Sequence, residues 1–225
     1  MRLSAAQSHD AIYHQIKEIT VDMRSRIFSS LDACGHYNWD NPYPYFSYPR
    51  VRRDSNRDAL SNASRSRMTN IVAALASTGR ISGGQTACYL SIIQLGVGEC
   101  GECSNAALLG VFGNQSLHSA GEFIMFVFRN HDYSDNHAFV MFIPHDVLRR
   151  CVRIWNRSGD TITLDMIFNA IPADGVGRVI VIDPWRYFVG YLTDVTQNAM
   201  LAAAGVCGIN ILFGSHELFK RSTHE

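Results

Sequence analysis

Glu122-Phe123-Ile124-Met125-Phe126-Val127-Phe128 is followed by the polar segment Arg129-Asn130-His131-Asp132-Tyr133-Ser134-Asp135-Asn136 and then by His137-Ala138-Phe139-Val140-Met141-Phe142-Ile143. Each apolar run is too short for a core helix and is rich in aromatic and β-branched side chains, which pack well on a pleated surface. Two such runs around a polar turn predict a β-hairpin in a buried sheet. A third run, Arg178-Val179-Ile180-Val181-Ile182, closes in Asp183-Pro184-Trp185. Proline has no N–H to give a neighbouring strand, so the ladder stops there.

Upstream, Ile12, Ile16, Ile19, Met23, Ile27 and Leu31 recur at steps of three and four, predicting one amphipathic helix over residues 5–31. Residues 34–49 mix three prolines with aromatics, which forbids a regular element and suggests an ordered loop or a lip facing a substrate or partner. A second helix is expected over 56–77, stopped at Gly79. After a glycine-rich stretch over 79–98, a helix of small residues begins at Cys100. Short helices are expected over 161–170 and 193–204, and a terminal strand over 209–213. The sum is an α+β fold in a single domain, residues 1–225, with an N-terminal helical region at 1–79 and a mainly antiparallel core at 80–225.

The composition narrows the function. The chain has 225 residues, 47% hydrophobic and 11% aromatic, enough for a real core. Twenty basic residues balance twenty acidic ones, so no net field steers the chain to nucleic acid. The first ten residues lack the apolar segment of a cleaved leader, and no stretch nears the roughly 18 apolar residues a transmembrane segment needs. A soluble, unprocessed protein is expected. Six scattered cysteines suit a reducing compartment better than a disulfide scaffold.

Chemistry is suggested by the order of three segments: a cysteine opening a helix, a histidine opening a strand, and an aspartate closing another. Unpaired N–H groups and the dipole at a helix start favour a thiolate and can hold an oxyanion. An imidazole can take the thiol proton, and a carboxylate on its far nitrogen fixes the tautomer. Gly98-Glu99-Cys100-Gly101-Glu102-Cys103-Ser104, Asn136-His137-Ala138-Phe139-Val140 and Val181-Ile182-Asp183-Pro184-Trp185 together resemble the papain-like and transglutaminase-like thiol superfamily, and most of all its bacterial effector and toxin branch. The resemblance covers about residues 94–190 and implies a papain-like core, a Cys100–His137–Asp183 triad, and acyl chemistry on amides of a protein substrate. The outcome would be proteolysis, glutamine deamidation or transamidation, without metal or organic cofactor. It further implies an effector made in a bacterial cytoplasm, secreted without a cleaved signal, and acting in the cytoplasm of a host cell.

The effector motif places the nucleophile before Gly-Glu, at Cys100, with Gln94 six residues upstream as the oxyanion-hole glutamine. The papain signature instead aligns Cys103, although Glu102 and Ser104 depart from it. Other readings compete. Each cysteine alone is more often a buried hydrophobe. His118 and His131 are alternative bases, Asp132 and Asp135 alternative orienters, and Asp183 alone an ordinary turn aspartate. Glu102 reads as a helix cap and Trp185 as core. Cys100-x-x-Cys103 could serve a thiol-disulfide oxidoreductase, and a zinc site drawing on Cys88 or Cys151 lacks paired spacing. Arginines 50, 52, 53, 57, 65 and 67, with the aromatics at 43, 45, 46 and 48, could make a non-catalytic binding segment over 43–67, although a solvated face explains them more simply.

Overall fold

The computed structural model describes residues 5–29, 31–32, 37–42, 66, 96, 98–112, 114–129, 136–155, 162–163, 169–194 and 208–214. Helix α1 is Ala5–Ser25, α2 Cys100–Phe112, α3 Gln115–Ala120, α4 His145–Trp155 and α5 Ala173–Val176. The strands are β1 Gly121–Arg129, β2 Asn136–Pro144, β3 Ile162–Thr163, β4 Ile180–Asp183, β5 Phe188–Tyr191 and β6 Gly208–Gly214. They form one sheet in the order β3-β6-β1-β2-β4-β5, and every described pairing is antiparallel. The fold is thus a mixture of helices with an antiparallel sheet, as the residue pattern predicts.

The expected hairpin is its centre, with Gly121 opposite Pro144 and Phe128 opposite His137. Period-two alternation sends its side chains to two separate cores. On one face, Phe123, Met125, Ala138, Val140 and Phe142 pack with Ile16 of α1, Ala107, Leu108 and Val111 of α2 and Leu117 of α3. On the other, Ile124, Phe126, Phe139, Met141 and Ile143 pack with Val147 and Cys151 of α4. Each fully buried Phe, Ile or Leu contributes about 1.5–3 kcal/mol relative to exposure, so the hairpin, covered on both sides, anchors the whole fold. Gly110 lets α1 and α2 approach closely: a Cβ there would sit 2.7 Å from Met23 Cγ and 2.8 Å from Ile19 Cγ2.

The structure corrects several expectations. Helix α1 ends at Ser25 rather than continuing to residue 31; beyond it the main chain of Phe28 bonds to Gly96 and Gly98. The helix expected over 161–170 is a two-residue strand at Ile162–Thr163, with only residues 169–170 helical in that range among those described. Helix α4 and strand β5 were not anticipated. Pro184 does end the β2–β4 ladder, but the chain turns back through a 3-10 turn, Pro184–Arg186, into β5. The turn closes on Tyr187 in the left-handed conformation, with φ 59 and ψ 39. Most of the expected helix over 56–77, residues 79–95, residues 195–204 and the loop over 34–49 outside 37–42 lie outside the described residues.

Candidate active site

Pro184 explains how the site opens. The β2–β4 register, Val140 with Ile182, would next set Ala138 against Pro184, which has no N–H to offer. The main chain of Ala138 turns to α2 instead. Its carbonyl accepts the Ser104 hydroxyl at 2.9 Å, and its N–H hydrogen-bonds the Cys100 sulfur. Helix α2 is thereby tied to β2 one residue along from His137.

Continued one residue past Val140–Ile182, the same register would bring Asp183 opposite Phe139, which places it on the diagonal to His137. His137 Nε2 and Asp183 Oδ2 lie 2.6 Å apart, with the residues 4% and 0% exposed. A carboxylate oxygen accepts, so Nε2 is the donor in this bond and Nδ1 is the other ring nitrogen. Trp185 packs at 5.5 Å from the His137 ring, inclined at 60°. Its indole N–H donates to Glu99 Oε2 at 3.0 Å. Trp185 is core, as expected, while also neighbouring the histidine: it is buried in the cluster of Met23, Ile27, Leu31, Cys103 and Ala106, and Cys100 packs against that cluster.

Glu102 caps the helix, as expected: its Oε2 accepts the Glu99 N–H at 3.0 Å, one half of a capping box. The surroundings of Cys100 oppose the thiolate that the helix start is expected to favour. Burial pushes the Cys100 thiol up to about 12, with the carboxylates of Glu102, Asp183 and Glu99 adding to the rise and the Ala138 N–H only partly opposing it. Cys103 is 1% exposed, and burial drives its thiol well above the ordinary range despite nearby Arg24.

Arg186 is a site residue that the motif order did not single out. It is 1% exposed; its Nε lies 3.4 Å from Asp183 Oδ2, and its main-chain N–H donates to Asp183 Oδ1 at 3.3 Å. The carboxylate oxygen that holds His137 therefore also faces a buried guanidinium. An arginine directly after Asp-Pro-Trp was the available signal.

The structure thus joins His137 and Asp183 directly and meets Cys100 at the next peptide. His118 stands apart in α3, its ring edge-on to Phe123 and its carbonyl bonded to His145. Gln94, His131, Asp132, Asp135, Cys88 and the segment 43–67 apart from Ser66 lie outside the described residues. Among the described residues no cluster of three or more His, Cys, Asp or Glu could hold a metal ion. No described helix is long and apolar enough to cross a membrane. Compared with protein families, curated proteins and solved structures, the chain finds no match.

Proposed function

We propose that the chain is a thiol-dependent amide hydrolase or acyltransferase with a papain-like core, acting on protein substrates. The observation that carries this reading is the buried His137–Asp183 pair at 2.6 Å, set one residue from the peptide that binds Cys100. Cys100 is the nucleophile, His137 the base and Asp183 the group that holds the imidazole. Cys103 is too buried to meet a substrate. The Cys100 thiol, pushed up to about 12, argues against a Cys100–Cys103 oxidoreductase, whose attacking thiol needs a low pKa.

With the thiol protonated at rest, the chemistry starts from a neutral pair. Nδ1 of His137 takes the Cys100 proton as sulfur attacks the carbonyl carbon, and Asp183 stabilises the imidazolium through Nε2. Main-chain N–H groups at the start of α2, with Gln94 as the proposed side-chain donor, hold the oxyanion. Collapse breaks the C–N bond, the imidazolium gives its proton to the departing nitrogen, and a thioester remains. Water then yields a carboxylic acid, whereas a primary amine yields a new amide. Likeness of the three motifs to bacterial effector enzymes supports secretion and a host protein as substrate.

The test is to incubate the full chain with a mixture of proteins and a labelled primary amine. New N-termini, released ammonia or incorporated amine are then scored. One of the three products is expected with the wild type and with Cys103→Ser, and none with Cys100→Ser. Product that survives Cys100→Ser, or that vanishes with Cys103→Ser in a folded chain, overturns the assignment.

A further inference from the structure

We propose that Arg24, on the N-terminal helix α1, is a positioning residue for the His137–Asp183 pair, acting through the turn that carries Asp183. The inference rests on the reading above, in which that pair serves Cys100. Arg24 is 3% exposed, and a buried guanidinium is tolerated only when its donors are met. One set of its bonds is local: Nη1 donates to the Ile27 carbonyl, and Nη2 donates to Ser29 Oγ and to both oxygens of Asp32, each at 2.9 Å. The other bond crosses the molecule, with Nε donating to the carbonyl of Pro184 at 3.0 Å.

Pro184 follows Asp183 directly, and its carbonyl also accepts the Tyr187 N–H that closes the 3-10 turn, at 3.1 Å. Tyr187 holds a left-handed conformation that is strained for a non-glycine residue. Such a conformation persists only where its surroundings over-determine it. Three contacts do so: the Arg24 guanidinium 4.4 Å from the ring centroid, the phenol donating to Asp32 Oδ1, and Trp39 edge-on at 5.5 Å. Arg24 and Asp32 therefore clamp both ends of the turn whose preceding residue, Asp183, presents its carboxylate to His137. A lysine keeps the charge but cannot send donors in three directions from one plane. This gives α1 a role beyond covering the sheet.

The experiment follows the His137 ring in the ¹⁵N-labelled full chain by two-bond ¹H–¹⁵N correlation, with the resonances assigned by their loss in His137→Gln. Iodoacetamide alkylation of Cys100 is measured in parallel. The wild type should show the proton on Nε2. Arg24→Lys and Asp32→Asn should keep native amide dispersion, yet show a mixed or shifted tautomer and Cys100 alkylation slowed by about tenfold. Tyr187→Phe, which removes only the phenol donor, should move the same signals in the same direction by less. Should Arg24→Lys fail to fold, the Asp32 and Tyr187 variants decide the matter. Folded variants with an unchanged tautomer overturn the role of Arg24 and leave it a structural brace. A tautomer that shifts while Cys100 alkylation ignores His137→Gln keeps Arg24 as a positioning residue and instead overturns the proposed function.

Discussion

At Asp183 one carboxylate oxygen faces two partners, His137 Nε2 at 2.6 Å and Arg186 Nε at 3.4 Å, all within the protein interior. Removing one member of such a group leaves an uncompensated buried charge, so Arg186→Met should destabilise the fold by about 3–5 kcal/mol in urea titration. Asp183→Asn/Arg186→Met, which removes both charges, should recover part of that loss. If the single variant is as stable as wild type, Arg186 is not the counter-charge. The Cys100 thiol gives a second prediction at this scale. Because burial and neighbouring carboxylates lift it to about 12, alkylation of Cys100 without substrate should be slower at pH 8 than that of an ordinary exposed thiol. Glu102→Gln keeps an N3 cap yet removes a negative charge, which favours thiolate, so Cys100 should react faster at pH 8. Reaction in the variant that is no faster than in the wild type would contradict this electrostatic assignment.

The close crossing of α1 and α2 makes Gly110 and Gly101 opposite cases on one helix. Gly110→Ala pushes a methyl into Met23 and Ile19 and should cost about 1–3 kcal/mol, whereas Gly101→Ala meets nothing within 4 Å and should gain up to about 1 kcal/mol. Equal effects in chemical denaturation would show that the helices do not cross there. The hairpin at β1 and β2 and the end of β4 at a proline were legible because their runs are long, apolar and sharply bounded. So was α1, whose stripe of Ile12, Ile16, Ile19 and Met23 has one period. Its end was misplaced because Ile27 and Leu31 continue the spacing and are buried, but from non-helical backbone. Helix α4 escaped notice because it starts immediately after the strand, at His145, with no separating loop, although Val147 and Cys151 keep helical spacing. Strand β5 is four residues long and depends on the left-handed Tyr187, which no local propensity signals. In the site, the motif order selected His137 and Asp183, which the structure brings together. It missed Arg186, Arg24 and Ser104, whose roles arise from tertiary contact.

Across the whole molecule, Cys100, Cys103 and Cys151 are all held protonated by burial, the last up to about 11. Unfolded thiols titrate near 8.5, so above that pH the folded chain binds more protons than the unfolded one, and stability falls as pH rises. This contribution is complete below about pH 8.5 and is lost between there and the folded values near 11 and 12. The midpoint of thermal unfolding should therefore decline from pH 8 to pH 10.5, and an unchanged midpoint would contradict the burial of these thiols. Helices α1, α2 and α3 cover one face of the sheet and α4 the other, and α1 reaches the turn after Asp183 through Arg24, which ties the N-terminal helix to the candidate site. The most direct test of that chemistry is the rate of iodoacetamide alkylation at pH 7.5, located by mass spectrometry, in wild type, His137→Ala and Asp183→Asn. With His137 as the base for Cys100, labelling of Cys100 should fall by about a hundredfold in His137→Ala and by less in Asp183→Asn, while Cys151 is unaffected. Equal labelling of Cys100 in all three folded proteins would mean that the thiol and the imidazole do not work together.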